Sequence, residues 1–254
     1  FYFRTLHSLA LSSSGIRTEQ VMDKQHFKEL SDIISIPLVS GSSLEDDIAD
    51  KQATDHPILS LINLARLCKT PLREQYNKTD MFFDWNTVNY VAKCYKEYKH
   101  EHELYDFTDM LQCFIDEADV ACPKFDLVFL DEAQDLSPLQ WDIAHILDKN
   151  AKKMYAAGDD DQAIYRWAGA DVEQFITLDG SSETLSQSYR VPRSIHAIAE
   201  QIAARIKHRY PKKYQPKEEN GTVKHIARVD DLDLSDGQWL ILAQAGYILN
   251  PVAE

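Results

Sequence analysis

The sequence predicts an α/β protein built around a parallel β-sheet with helices on its faces. Strand-like and helix-like segments alternate from about residue 105 onward, a pattern typical of parallel sheets. The run FDLVFL (125–130) is continuously apolar from Leu127 to Leu130. Such a run indicates a central parallel strand that is covered on both faces.

The other predicted elements follow from local signals. Strands are expected where short apolar runs end in polar turns: KKMYAAGD (152–159), ETLSQSYR (183–190), GTVKHIA (221–227) and QWLILA (238–243). Helices are expected over 105–118, over 138–147, where Pro138 suits the first turn, and after Pro192. The last of these places four isoleucines on one side: Ile195, Ile198, Ile202 and Ile206.

The first hundred residues have a different character. Residues 1–10 are expected to form a strand that runs into a helix. From 16 to 104 the chain is polar, and the charged segment 40–57 is expected to be a loop. Two stretches within this region have the apolar spacing of an α-helix: Ile58, Leu61, Ile62 and Ala65, then Val88, Val91, Ala92 and Tyr95.

Composition excludes several classes of protein. The net charge of −14 argues against a general nucleic-acid-coating protein, since phosphate neutralisation needs Lys and Arg, although a local groove remains compatible. The four cysteines form no CxxC pair, so we expect reduced thiols in an intracellular, cytoplasmic protein rather than a zinc site. No apolar run is long enough to predict a membrane span. The residues at both ends of the sequence resemble the middle of a fold rather than a tail, so we expect this chain to be a piece of a longer protein.

An acidic turn follows the apolar run at LDEAQD (130–135). Ligands of open α/β sheets sit beyond the carboxyl ends of the strands, where this turn lies. Asp131 can hold Mg²⁺, usually through water, and Glu132 can accept a proton from an attacking water, so the pair suits nucleotide hydrolysis. The alternative is a solvated turn whose acids are favoured at a helix N-terminus.

A second unusual turn, GDDDQAIYRWAGAD (158–171), follows the next predicted strand. Gln162 can orient a water molecule or contact a terminal phosphate. Tyr165 and Trp167 offer flat faces on which nucleic-acid bases can stack. The alternative for both rings is ordinary core packing.

Two further candidate sites contain cationic residues: the segment with Tyr189 and Arg190, and the basic run 205–217. Arg190 follows the third predicted strand and can reach the charge that develops on a transferred phosphoryl group, and Tyr189 can stack on a base. The alternative for Arg190 is a surface ion pair of small energetic value. The basic run 205–217 is a candidate backbone-binding patch or, alternatively, a basic helix C-terminus that the helix dipole favours.

Three motifs in order, LDEAQD, GDDDQAIYRWAGAD and LSQSYR (185–190), resemble the UvrD/Rep branch of superfamily 1 DNA helicases. RTLHSLA (4–10) and YDFTDML (105–111) are similar to two further segments of that branch. The resemblance implies a RecA-like first motor domain formed by 1–15 and 105–180. It also implies an inserted helical subdomain at 16–104 and the start of a second RecA-like domain at 181–254.

The resemblance also implies an activity and its cofactors. The intact protein is expected to hydrolyse ATP with Mg²⁺ and to move along single-stranded DNA, usually 3′ to 5′, while unwinding duplex junctions. Asp131 would coordinate Mg²⁺, Glu132 would activate the hydrolytic water, and Gln162 would sense the γ-phosphate. Arg190 would reach that phosphate from the second motor domain, and Tyr189 would stack near the adenine.

The implied DNA contacts are separate from the ATP contacts. Tyr165 and Trp167 would stack on bases of single-stranded DNA, and Thr5 and His7 would lie on the path of the strand. A bacterial or phage origin is expected.

The sequence departs from the family pattern in several places. The later motifs of the family, including a second arginine for ATP, and its second accessory subdomain are missing. None of the eight glycines is followed by lysine, so the phosphate-binding G-x-x-x-x-G-K-[ST] loop is not in this sequence, and the chain by itself is expected to be inactive. Ala168 stands before Gly169, where the family often has arginine, so one charged contact is lost. Two other functions are compatible with parts of the sequence: a non-catalytic module that binds DNA or a partner, and a magnesium nuclease, which gives no role to Gln162 or Arg190.

Overall fold

The computed structural model describes residues 3–38, 56–226 and 236–243. The chain divides into two compact units, Phe1–Gly180 and Ser181–Glu254. Nearly all of the predicted loop at 40–57 lies outside the described residues. None of the described helices is long and apolar enough to cross a membrane.

Helices make up most of the first unit. Its N-terminal helix, α1, spans Leu6–Ser13, and residues 3–5 before it are not a strand, so the described part of the strand predicted for 1–10 is wrong. The remaining helices, in chain order, are α2 (Lys24–Ile34), α3 (Pro57–Leu67), α4 (Leu72–Lys78), α5 (Trp85–Glu101), α6 (Phe107–Asp116), α7 (Ala118–Ala121), α8 (Pro138–Lys149) and α9 (Val172–Ile176).

Helices α2 to α5 pack around a core of their own. Its buried side chains all come from residues between Met22 and Leu104. Both predicted helical spacings are confirmed, because Ile58, Leu61, Ile62 and Ala65 are buried on α3 and Val88, Val91 and Tyr95 are buried on α5. The apolar stripe of each helix therefore forms the seam of this bundle.

A two-stranded parallel sheet lies in the rest of the unit. Strand β1 spans Phe125–Leu130 and β2 spans Ala151–Ala156, with Leu130 opposite Ala156 at their carboxyl ends. Helix α8 connects them and begins as predicted, with Pro138 in its first turn. The structure adds a capping box formed by Ser137 and Gln140. The alternation of strand and helix is thus confirmed for this βαβ segment.

The expectation that β1 is covered on both faces is wrong for the part of the chain that the structure describes. Leu127 is 53% exposed and Phe129 is 72% exposed, while Leu130 is buried. Phe129 stacks on Tyr155 of β2, with ring centroids 5.2 Å apart, and this cross-strand pair stabilises the open face. An apolar run identifies a strand, but the layer that covers it depends on other parts of a fold.

The second unit contains one regular helix among its described residues, α10 (Arg193–Ala203). The predicted strand at 183–190 is wrong, since it is reduced to a single parallel bridge between Gln187 and Gln215. The described parts of the predicted strands 221–227 and 238–243 are also not strands. No described side chain in this unit is buried, so these pairings lack the packing that makes a sheet stable.

The isoleucine stripe of α10 is consequently open to solvent. Ile195, Ile198 and Ile202 are 40–58% exposed, and Ile206 lies beyond the end of the helix. The helical prediction after Pro192 is confirmed, with a shorter apolar face than expected.

A buried charge network joins the helical bundle to α6. Asp106 caps α6 and accepts hydrogen bonds from Lys99 at 2.5 Å, from Arg66 at 2.6 Å and from the Tyr95 hydroxyl at 2.8 Å. Asp109 in the first turn of α6 pairs with the same two cations. Burial opposes ionisation of Asp106, but Arg66 and Lys99 outweigh it and hold the pKa of this carboxyl well below its ordinary value.

Candidate functional site

The predicted acidic turns lie side by side because β1 and β2 are parallel and in register. Leu130 is opposite Ala156, so residues 131–135 and 158–162 leave the sheet at the same edge. Each segment then forms a short 3₁₀ turn, at Ala133–Asp135 and at Asp160–Gln162. A backbone hydrogen bond from Ala133 N to Ala157 O, 2.9 Å long, ties the turns together at their base.

A buried glutamine bridges the two turns. Gln134 is 1% exposed, and its Nε2 donates a 2.7 Å hydrogen bond to Oε2 of Glu132. Its Oε1 accepts a 3.0 Å hydrogen bond from the backbone N–H of Asp159. Gly158 makes this approach possible, because a Cβ atom at that position would overlap Gln134 Oε1. Both ends of the amide are therefore engaged, one in each turn.

The bridge continues to Gln162. The Gln162 Nε2 donates a 2.6 Å hydrogen bond to Oδ2 of Asp159, whose Oδ1 accepts from the N–H of Asp161. A continuous chain of contacts thus runs from Glu132 through Gln134 and Asp159 to Gln162. We refer to these four residues as the carboxylate–amide chain. The structure brings together two side chains that the sequence placed 30 positions apart.

The acidic edge has the ligand chemistry that Mg²⁺ prefers, although it is not a closed metal cage. Asp131 and Glu132 are exposed at the strand end, and Asp131 Oδ1 accepts the N–H of Glu132 at 3.0 Å. Burial and the nearby charge of Glu132 raise the pKa of Asp135. Among the described residues, no group of three or more metal-binding side chains converges. Because Mg²⁺ is usually held by one or two carboxylates, water and substrate phosphates, the residues present fit that mode.

The aromatic pair lies on a turn at the surface. Trp167 is 57% exposed and Tyr165 is half-buried, with ring centroids 6.5 Å apart, so core packing does not account for Trp167. Gly169 ends this turn with φ of +99°, and a Cβ there would press on Leu64 and Cys68. The turn therefore docks on the α3 end of the helical bundle through a glycine that no other residue replaces without strain.

The two N-terminal candidates have structural partners. Thr5 caps α1, where its hydroxyl accepts the N–H of Ser8 at 3.2 Å. His7 is half-buried, with its ring edge-on to Phe107 at 5.9 Å. These contacts fix the start of α1 against α6 while leaving Thr5 accessible.

The remaining two candidates belong to the second unit. Tyr189 is 86% exposed and Arg190 is also exposed. Ser188 holds the local backbone, because its hydroxyl accepts the N–H groups of Arg190 and Val191 at 3.4 and 3.1 Å. Neither side chain is engaged in core packing of that unit.

Residues 4–183 match the UvrD/REP helicase N-terminal domain. The chain belongs to the UvrD/REP helicase family. Relatives of this UvrD/REP chain include the ATP-dependent DNA helicase PcrA of Staphylococcus aureus strain Mu50, 23% identical over 237 residues that cover 88% of this chain and 32% of that protein. PcrA of Staphylococcus epidermidis strain ATCC 35984 is 23% identical over 224 residues, covering 83% and 30%. The chain spans about a third of the length of these relatives.

Sequence reasoning missed two features of this UvrD/REP chain. Gln134 was part of the quoted LDEAQD motif but received no role, because nothing local predicts that its amide reaches Asp159, 25 positions away. The pairing of Arg66 and Lys99 with Asp106 was also missed. The sequence contained a signal for the two acids of this network, since Asp106 and Asp109 have the three-residue spacing of a capping box.

Proposed function

We propose that this chain is part of a motor that couples ATP hydrolysis to movement along single-stranded DNA and to the unwinding of duplex junctions, in the 3′-to-5′ direction. The carboxylate–amide chain is the observation that carries this proposal. It connects Glu132, a residue suited to hydrolysis, with the segment that ends at the exposed Trp167. A change at Glu132 can therefore be transmitted through these hydrogen bonds to Gln162. Trp167 lies only five residues beyond Gln162.

The hydrolytic roles go to the edge of the sheet. Glu132 accepts the proton of the attacking water, and the Gln134 amide orients this carboxylate through their 2.7 Å hydrogen bond. Asp131 would hold Mg²⁺, which would supply positive charge to neutralise the phosphates. Gln162 contacts the terminal phosphate, so its bond to Asp159 is the element that responds to the state of the nucleotide.

Two residues of the second unit have proposed roles toward ATP. The exposed guanidinium of Arg190 stabilises charge on the γ-phosphoryl group, a role worth roughly 10³–10⁵ in rate in other phosphoryl-transfer enzymes. The exposed ring of Tyr189 stacks near the adenine. Both side chains are exposed, so neither proposed role requires a packing contact within the second unit to break.

The DNA site consists of the aromatic turn and the start of α1. Trp167 and Tyr165 present rings on which bases stack without regard to sequence. Thr5 and His7 lie along the strand, where the exposed threonine hydroxyl can donate to a phosphate. Because DNA is the substrate, we place the protein inside the cell, in a bacterium or phage-infected host.

The chain by itself is expected to hydrolyse ATP very poorly. It contains no G-x-x-x-x-G-K-[ST] sequence, and the backbone amides and lysine of that loop hold the phosphates in hydrolases of this kind. DNA-stimulated ATPase activity in the purified chain, at a level above a Glu132→Gln variant, would contradict this expectation.

Substitution of Trp167 tests the proposed DNA site. Trp167→Ala is expected to weaken binding of a fluorescent oligo-dT, measured by anisotropy, by the roughly 1–3 kcal/mol of one stacked base. Trp239→Ala is the matched control, since Trp239 is 61% exposed elsewhere in the chain. In the full-length parent, the same Trp167→Ala change should lower DNA-stimulated turnover and leave ATP affinity unchanged.

Two outcomes distinguish the proposed function from its alternatives. Equal losses for the two tryptophan variants, or lost ATP affinity with intact DNA binding, would remove the aromatic turn from the DNA site. DNA binding by a full-length parent that lacks ATPase activity would favour the non-catalytic binding module instead.

A further inference from the structure

The C-terminal end of α3 is fixed by ion pairs to two other helices of the first unit. Arg66 in its last turn pairs with the buried Asp106 at the start of α6, 2.6 Å away. Lys69 follows the helix with a left-handed φ of +53° and pairs with Asp142 of α8 at 2.5 Å. The exposed Lys69 pair contributes little, whereas breaking the Arg66 pair would leave a buried charge without its partner. This end of α3 is therefore held mainly by α6.

The same end of α3 supports the aromatic turn, residues 165–169. Leu64 and Cys68 are four residues apart and so lie on one face of the helix. Gly169 is buried against them, because a Cβ atom there would lie 3.1 Å from Leu64 Cδ1 and 3.2 Å from Cys68 Sγ. In the part of the chain that the structure describes, neither side chain belongs to the apolar cores of the first unit. We call Leu64 and Cys68 the α3 seat, since the turn rests on them.

The aromatic turn is closed by its own backbone, so Trp167 moves with it. The Ala170 N–H donates to the Tyr165 carbonyl at 3.1 Å and closes the chain around Trp167. The C-terminal side of the turn is held by a hydrogen bond from the Asp171 N–H to the Leu136 carbonyl, 2.8 Å long. The Trp167 ring itself is exposed. The protein therefore fixes the position of this ring through the backbone of the turn rather than through packing of the ring.

We propose that Leu64 and Cys68 are positioning residues for DNA binding, which hold the aromatic turn where Trp167 can stack on a base. The inference rests on the proposed function, because it takes Trp167 as the stacking residue. The helical bundle takes part in DNA binding through the α3 seat, without a contact between the seat and the strand. Because Arg66 fixes this end of α3 to α6, a displacement of the bundle relative to α6 would also move Trp167.

Binding of fluorescent oligo-dT to the purified chain, measured by anisotropy, tests the α3 seat. Leu64→Ala is expected to weaken binding by about 2- to 30-fold, an effect typical of residues that act on a site without touching its ligand. In a Trp167→Ala background the same substitution should cause no further loss, because Leu64 acts only through Trp167. The matched control is Leu72→Ala, which shortens a half-buried leucine on the core of the bundle and should leave binding unchanged.

A second variant changes the seat in the opposite direction. Cys68→Leu adds volume beneath Gly169 and should push the turn away from α3, with a similar loss of affinity for oligo-dT. Cys68→Ser keeps the size of the side chain and should bind as the unchanged chain does. Thermal unfolding curves check that each variant is folded. Equal affinity losses for Leu64→Ala and Leu72→Ala, or an undiminished effect of Leu64→Ala in the Trp167→Ala background, would overturn the proposal.

Amide hydrogen exchange gives a readout that does not depend on DNA. The Ala170 N–H should exchange faster in Leu64→Ala and Cys68→Leu than in Leu72→Ala, because its hydrogen bond closes the turn that the seat supports. Unchanged exchange at Ala170 would overturn the proposal. Trp167→Ala reports separately on the proposed function: if it binds oligo-dT normally, the aromatic DNA site is rejected and this inference with it. Binding that depends on Trp167 but not on Leu64 or Cys68 would reject this inference alone.

Discussion

Gln134 lies so close to Gly158 that a Cβ atom at position 158 would overlap the glutamine Oε1. The same oxygen accepts the N–H of Asp159, and the other end of the amide holds Glu132. The two turns of the candidate site are thus interlocked by one glutamine and one glycine. This arrangement requires a residue without a side chain at 158 and an amide at 134.

Gly158→Ala is expected to destabilise the fold by about 1–3 kcal/mol, the usual cost of overpacking. Gly158 does not have a left-handed backbone, so the cost comes from the collision rather than from backbone strain. Urea unfolding measures it. In a Gln134→Ala background the collision partner is gone, and the cost of Gly158→Ala should shrink. If Gly158→Ala costs the same in the Gln134→Ala background, the alanine side chain does not collide with Gln134.

Gln134→Glu is expected to break the link to Glu132, because it replaces an amide donor with a carboxylate, while the new carboxylate can still accept the N–H of Asp159. The free energy of unfolding should fall by about 1–3 kcal/mol, and amide hydrogen exchange at Asp159 should stay slow. The defect should lessen as pH falls, because the protonated glutamate can donate again, and burial beside Glu132 should place this change above the ordinary pKa of a glutamate. Gln134→Met serves as the control, since its defect should not depend on pH in this way.

Lys99→Met is expected to destabilise the chain by about 3–5 kcal/mol, because it leaves Asp106 buried without one of its cations. Lys96→Met is the control, since Lys96 is exposed on the same helix. Denaturant titration of both variants measures the difference. Similar midpoints for the two would show that Arg66 and Tyr95 alone satisfy Asp106.

Acid should unfold the protein partly through Asp106. Its pKa is lower in the folded state than its ordinary value of 3.8, so its ionised form stabilises the fold above that pH. The stabilisation is lost progressively as pH falls below about 3.8. Asp106→Asn should therefore be less stable than wild type at neutral pH, and the gap should narrow in acid. A gap that is constant from pH 7 to pH 2 would contradict this assignment.

Much of the fold was predictable because its signals are local. The apolar spacing of α3 and α5, the strand at Phe125–Leu130 and the cap of α8 all follow from residues close in sequence. The strand predicted at 183–190 failed because strand formation depends on neighbours. Leu127 and Phe129 illustrate the same limit: their apolar character predicted a strand, but not whether another layer covers it.

The sequence by itself determined the motifs, the family resemblance and the positions of Asp131, Glu132, Gln162 and Trp167 after their strands. Only the tertiary structure decided which of these side chains meet. The parallel register of β1 and β2 brings both turns to one edge, and Gln134 then bridges them across 25 positions of chain. Local propensity carries no information about such a contact, since it depends on where two distant strand ends are placed and on the space that Gly158 leaves.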